Sequence, residues 1–223
     1  MKKVLIGTPA HDGRLDVWYT NSLVNTIKKS FSEGYSIDPI YTSFDSLIQR
    51  ARNSLFKIAV EQNFDYLFFI DSDVEWDPEW VFRFLKYPED VIGGPLVKKS
   101  DNSEGYTCKI SNKNLQYNES KTLIKVDGVG TGFMKLSRKA ILDLWKNSLV
   151  YKNEENPYDY EDRMVCDIQV QNGILVSEDY IICQKLKKLN YNIWMDPNFT
   201  LNHIGPKKYL GNFKNFIDRA GYA

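Results

Sequence analysis

Apolar positions along the chain change period several times, and the order of those changes is the first structural signal. Lys3 to Thr8 is a short, nearly continuous apolar run of the kind a buried strand needs. After the small and polar stretch Pro9 to Arg14, the pattern predicts a helix from about Val17 to Ser32, with Gly34 where a C-terminal cap belongs. Ser36 to Thr42 reads as a second strand, and Pro39 within it points to an irregular or edge position. From Asp45 to Gln62, Leu47, Ala51, Leu55, Ile58 and Ala59 recur at three- and four-residue spacing, the mark of an amphipathic helix. Asp65 to Ile70 follows, apolar without a break from Tyr66 onward, as in a parallel-sheet strand buried on both faces.

The next elements are less regular. Asp77-Pro78 opens a helix with an N-cap and a proline at the first helical position. Val91 to Gly94 reads as a strand, and Tyr106 to Val126 alternates like a hairpin or meander. Gly132 to Leu136 reads as a strand followed by a helix capped by Ser137. Tyr151 to Asp167 is polar and aperiodic and reads as a long loop. Ser177 caps a helix to about Asn190, and Asn192 to Met195 and Phe199 to His203 read as short strands. The basic, aromatic tail from Lys207 to Ala223 reads as a last short helix packed on the protein's own core.

Alternation of strand and helix, followed by a mixed second half, predicts an α/β fold. Its sheet should be mostly parallel with a smaller antiparallel portion, and helices should cover both faces. At 223 residues, one domain is expected over 1–223, with 1–100 as a nucleotide-binding half and 101–223 as the acceptor and catalytic half.

Composition narrows the function classes. Hydrophobic residues make up 43% and charged residues 26%, enough for a core. Lys+Arg and Asp+Glu are both 29, so bulk electrostatics give no reason to expect a nucleic-acid partner. Cys108, Cys166 and Cys183 are few and far apart, and read as free thiols of a reducing compartment. The start of the chain lacks a signal-peptide pattern, and no run reaches transmembrane length. A cytoplasmic location is expected, the host's if the chain is viral.

Candidate chemistry concentrates at a few places. Asp71-Ser72-Asp73 leaves the Tyr66–Ile70 strand directly, which holds two carboxylates at the carboxyl edge of the sheet. Hard oxygens so placed suit Mg2+ or Mn2+, and a cation there would neutralise a diphosphate. A solvated acidic turn is the competing reading of a bare D-x-D. Glu178-Asp179 opens a helix, where acidic residues are favoured by the dipole whatever their function. A carboxylate there is a weaker base, which sugar transfer tolerates if bond breaking runs ahead of proton transfer. His203, one of two histidines, ends a strand before Gly-Pro and Lys207-Lys208, whose ammonium groups would suit diphosphate oxygens. Arg52 lies beside the apolar stripe of its helix, where it can either snorkel to water or pair with a carboxylate such as Asp71. Gly128 to Gly132 opens a strand rather than a helix, so it is not a dinucleotide fingerprint.

Taken in order, Thr8-Pro9, Arg52-Asn53, Phe69-Ile70-Asp71-Ser72-Asp73, Gly93-Gly94, Gly130-Thr131-Gly132-Phe133, Glu178-Asp179 and His203 resemble GT-A fold glycosyltransferases over nearly the whole chain. The likeness extends to the short single-domain enzymes of large DNA viruses and phages that build capsid or surface glycans. The resemblance implies a Rossmann-like sheet, a nucleotide-sugar donor (UDP-linked), a glycan or glycoconjugate acceptor, Mn2+ or Mg2+, and inversion at the anomeric carbon. It implies that Thr8 and Pro9 hold the base, that Arg52, Asn53 and Ser72 support the donor site, and that Thr131 and Gly132 line the sugar or acceptor pocket. It further implies that Asp71 contacts the ribose or the metal shell, that Asp73 and His203 bind the metal, and that Asp179 is the base. A non-catalytic glycan- or nucleotide-binding module and a sugar-phosphate nucleotidyltransferase are the alternatives. The latter wants a Gly-rich basic loop that Thr8 to Arg14 does not supply. A D-x-D nuclease fits poorly with zero net charge.

Overall fold

The computed structural model describes residues 1–152 and 161–222. In chain order its first half runs β1 (Lys2–Ala10), α1 (Val17–Ser30), β2 (Tyr35–Ser43), α2 (Ile48–Glu61), β3 (Tyr66–Ile70), β4 (Val74–Glu75), α3 (Pro78–Lys86) and β5 (Val91–Gly93). Next come β6 (Cys108–Lys109), β7 (Ile124–Val126), β8 (Gly128–Val129), β9 (Phe133–Ser137), α4 (Arg138–Lys146), β10 (Val150–Lys152), β11 (Glu161–Arg163), β12 (Gln169–Gln171) and β13 (Ile174–Val176). The chain closes with α5 (Glu178–Lys188), β14 (Ile193–Met195), β15 (Asn202–Ile204), β16 (Lys208–Tyr209) and α6 (Phe213–Arg219).

A seven-stranded sheet in the order β2-β1-β3-β9-β5-β14-β7 forms the centre. Strands β2, β1, β3, β5 and β14 run one way, while β9 and β7 run against them. β2 is an outer strand of this sheet, which lets Pro39 lack an N–H without breaking a ladder on both sides. The apolar run of β3 divides by alternation. Leu67 and Phe69 join the core under α2, α4 and α5, whereas Phe68 and Ile70 join the core under α1 and α3. Burial on both faces is what an unbroken apolar strand requires, and helices cover both faces accordingly.

Capping explains several helix starts. Asp16, Asp77 and Ser137 each accept an N–H of the first helical turn through their side chains. Gly34 has φ +82, the left-handed conformation expected after α1. Ser177 occupies the N-cap position of α5, but its side chain makes no capping bond.

Three segments differ from the sequence expectation. The expected loop over Tyr151–Asp167 contains an antiparallel pair, β10 with β11, and residues 153–160 fall outside the described residues. The expected strand at Phe199 begins at Asn202 instead, because Phe199 is buried against Trp80, Phe84 and Phe133. The Tyr106–Val126 meander is split between sheets, with β6 on β8 and β7 on β14. The tail forms α6, and Phe213 and Phe216 pack on Tyr106. Cys166 and Cys183 are buried, Cys108 is half-buried, and none of the three is in a disulfide. No helix among the described residues is long and apolar enough to cross a membrane.

Candidate active site

Asp71 is the first residue beyond β3, and alternation turns it to the α2 side of the sheet. There it meets Arg52, which is only 3% exposed. Arg52 Nη2 donates to Asp71 Oδ1 at 2.7 Å and Nη1 donates to Glu178 Oε1 at 2.8 Å. One guanidinium thus ties the end of β3 to the start of α5, and its buried Nε has no partner among the described residues. Burial pushes the Asp71 carboxyl up, opposed by Arg52 and reinforced by Asp179. Burial likewise pushes Glu178 up, again with Asp179 adding to the effect. Asp71 and Glu178 share one buried arginine and Asp179 lies near it, so the cluster is a place where an arriving cation would relieve negative charge.

The antiparallel strand β9 begins beside β3. Asp71 N–H donates to the Gly132 carbonyl at 3.0 Å. A Cβ at Gly132 would lie 2.4 Å from Leu96 Cδ1 and 2.8 Å from Asp71 Oδ2, so close backbone approach requires glycine there. Thr131, fully buried, donates its N–H to Asp179 Oδ1 at 3.1 Å and its hydroxyl to the same oxygen. Among the described residues Asp179 Oδ2 has no hydrogen-bond partner.

On the other side of Asp71, β4 and β15 pair so that His203 lies opposite Val74. His203 Nδ1 lies 2.8 Å from the Val97 carbonyl, which can only accept, so Nδ1 carries the proton. Its Nε2 then faces Asp73 Oδ1 at 3.5 Å. Lys99 donates to Asp73 Oδ2. Desolvation opposes ionisation of Asp73, but the closeness of His203 and the bond from Lys99 outweigh it and hold the carboxyl below its ordinary value.

These groups fit a divalent cation. Carboxylate oxygen and an imidazole nitrogen oriented by a backbone carbonyl are suitable donors, and Lys99 shows that the position takes a positive charge. Asp71, the third expected ligand, is engaged by Arg52. Among the described residues no three His, Cys, Asp or Glu side chains form a metal-holding group by themselves. Remaining coordination positions would fall to phosphate oxygens and water, as is usual for Mg2+ on nucleotide substrates.

Other expected positions behave differently. β1 continues through Ala10, so Pro9 as well as Thr8 is a buried strand residue, and Thr8 Oγ1 is 2.6 Å from Tyr19 Oη. Asn53 is spent on Cys166, accepting its N–H at 2.7 Å and donating to its carbonyl at 3.1 Å, so it braces the segment after β11. Ser72 accepts the Asp16 N–H at 3.0 Å through its carbonyl, which ties the turn to α1. Lys207 pairs with Asp101 and Lys208 with Glu75, so neither reaches Asp73. Lys99, in a polar loop indistinguishable from a solvated one, takes that place.

Comparison with known proteins agrees with this architecture. Residues 20–145, more than half of the chain, match the model of glycosyl transferase family 2. The chain belongs to that family. The matched region carries Arg52, Asp71, Asp73, Thr131 and Gly132, while Glu178, Asp179 and His203 lie beyond it. The crystal structure of A197 from STIV is similar in fold, with a TM-score of 0.57 at 16% identity over 95% of each chain. A glycosyltransferase involved in glycosylation of the major capsid of PBCV-1 overlaps with a TM-score of 0.35 at 12% identity, over 72% of this chain and 71% of that one. The inositol-1-phosphate CTP transferase from T. maritima overlaps with a TM-score of 0.43 at 11% identity, over 88% and 89%. The latter two overlaps are too loose to bear on the fold. A comparison with curated proteins gave no match.

Proposed function

We propose that this family 2 glycosyltransferase moves a sugar from a nucleoside-diphosphate donor, UDP-linked, to a hydroxyl of a glycan or glycoconjugate, with inversion and with Mn2+ or Mg2+ at Asp73 and His203. The observation that carries this reading is the meeting of Asp73–His203 and Thr131–Asp179 on either side of the Arg52–Asp71 pair.

In this reading Asp179 is the base. Thr131 occupies Oδ1, which leaves Oδ2 for the acceptor hydroxyl. The acceptor oxygen forms a bond to the anomeric carbon, the bond from that carbon to the diphosphate breaks, and the hydroxyl proton passes to Oδ2. One carboxylate acting as base, with direct attack by the acceptor, inverts the anomeric centre. A divalent cation, when bound, supplies positive charge to the departing diphosphate. Arg52 touches no substrate in this scheme. It fixes Asp71 and balances Glu178, so that the carboxylates keep their geometry. The backbone at Thr8, Pro9 and Ser72 would border the nucleoside, and Gly132 lets the donor sugar approach Asp71 closely.

The test is release of free nucleoside diphosphate from a panel of nucleotide sugars with Mn2+ and an acceptor mixture. Asp179→Asn should lower turnover by about 10²–10⁴ and leave nucleotide affinity within about twofold. Full turnover in that variant would remove Asp179 from the role of base.

A further inference from the structure

A hollow of about 630 Å³ lies on the other face of the small β16-β15-β4 sheet from Asp73 and His203. Strand alternation produces the two faces. His203 turns to Asp73 and Val97, whereas Asn202 turns into the hollow and donates to Glu75 Oε2 at 2.7 Å.

Three tryptophans line this hollow; the ring of Trp76 is 4% exposed and packs into the core on Tyr19 and Phe133, so two indoles offer accessible surface. Trp18, in the first turn of α1, is 43% exposed. Trp80, in the first turn of α3, is half-buried and packs on Phe199 with ring centres 4.6 Å apart. Helix α1 adds Asn21 and Asn25, one and two turns beyond Trp18 on the same face. Both are exposed, and among the described residues neither side-chain amide has a hydrogen-bond partner.

The cation in the hollow is paired. Lys208 Nζ binds Glu75 at 2.7 and 2.9 Å and sits 3.5 Å from the centre of the Trp18 ring, which holds that ring in place. Asp77 adds a negative charge at the rim. A polyphosphate would find no uncompensated cation here, and a hydrocarbon chain would strand the amides. A sugar ring suits both features. Its C–H face is apolar and matches an indole, and its hydroxyls both donate and accept, as amide groups do.

We propose that this groove binds a saccharide chain and serves as a second subsite for the glycan acceptor. Its role as an acceptor subsite rests on the glycosyl-transfer reading above, but saccharide binding itself does not. The groove is linked to the site through Asp16, whose side chain caps α1 at Trp18 N–H (2.8 Å) and whose own N–H donates to Ser72 (3.0 Å). Trp18 is thus two residues from the Asp16 that is bonded to the turn carrying Asp71 and Asp73.

Binding of the full chain to a printed array of short neutral oligosaccharides, without nucleotide or metal, tests this. The wild type should retain at least one class of oligosaccharide. Trp18→Ala, and separately the pair Asn21→Ala and Asn25→Ala, should weaken that retention by about tenfold, with unchanged melting temperature because all three side chains are exposed. Asp73→Asn should leave it intact. Absence of retention by the wild type, equal retention by Trp18→Ala, or loss in Asp73→Asn would each overturn the proposal. Retention without any sugar transfer would count against the transferase reading and leave the groove standing.

Discussion

Thr131 holds Asp179 by two bonds to a single oxygen, one from its N–H at 3.1 Å and one from its hydroxyl. Thr131 precedes the antiparallel strand β9 and Asp179 lies in the first turn of α5, so the pair joins elements 48 residues apart. The arrangement orients the carboxylate and, among the described residues, leaves its second oxygen without a partner. Thr131→Val removes the hydroxyl bond and keeps the N–H bond at nearly constant volume. Turnover should fall about tenfold, the rate equivalent of one lost hydrogen bond of roughly 1.4 kcal/mol. Steady-state kinetics should show the loss in kcat with donor KM little changed.

Arg52 is the structural keystone of the cluster. Removing one partner of a buried ion pair costs about 3–5 kcal/mol, because the other charges stay buried without compensation. Arg52→Met should therefore destabilise the fold by about 3 kcal/mol at neutral pH, near the lower bound because Asp71 and Glu178 are already pushed toward protonation. Without Arg52 their folded pKa values rise further above the unfolded ones. Such groups contribute stability below the unfolded pKa that is lost as pH rises through the folded one, so the deficit should shrink on acidification. Urea unfolding of both proteins at neutral and mildly acid pH measures this.

How much of this was legible in the sequence depends on whether a residue's partner is local. The alternation of β3, the caps at Asp77 and Ser137, and the placing of Asp71 and Asp73 at a sheet edge all follow from neighbours in the chain. Arg52 beside an apolar stripe left snorkelling and pairing with a carboxylate both open, and the fold takes the second, with Asp71 as one partner. Glu178 as its second partner, 126 residues away, left no local trace. Lys99 looked like any lysine of a polar loop, and only the fold brings it to Asp73. Thr8 and Asn53 carried no sign that Tyr19 and Cys166 would engage them. The β10–β11 pairing was hidden by short, polar strands with no clear period.

Lys135 lies in the middle of β9, 1% exposed, with Nζ donating to the carbonyls of Phe84, Tyr87 and Glu89. It closes the C-terminal end of α3. Burial pulls its pKa from 10.5 to about 8, against the opposing pull of Asp90 and Glu89. Between those values the unfolded chain keeps a proton that the folded chain has lost, so this residue makes stability rise with pH. The three cysteines, pushed up to about 12 by burial, act in the opposite sense as their unfolded thiols ionise. Comparison with Lys135→Met isolates the lysine. Relative to that variant, the wild type should gain about 1–2 kcal/mol between about pH 7.5 and 9 in denaturant titrations. Parallel curves would show that Lys135 titrates normally.

In the proposed reading the donor site depends on Asp73 and His203. His203→Ala removes a neutral ligand and leaves the charge of Asp73 in place. It should raise the Mn2+ concentration needed for half-maximal transfer by about tenfold or more, with residual activity recovered at high Mn2+. An unchanged metal requirement would make His203 a brace for the loop at Val97.

Calorimetric titration of UDP into the wild type and Asp73→Asn, each with and without Mn2+, tests the central claim most directly. The account predicts tight binding only for the wild type with Mn2+, weakened by at least about tenfold when either the metal or the Asp73 carboxylate is removed. Equal UDP affinity in all four titrations, or no binding in any, would contradict it.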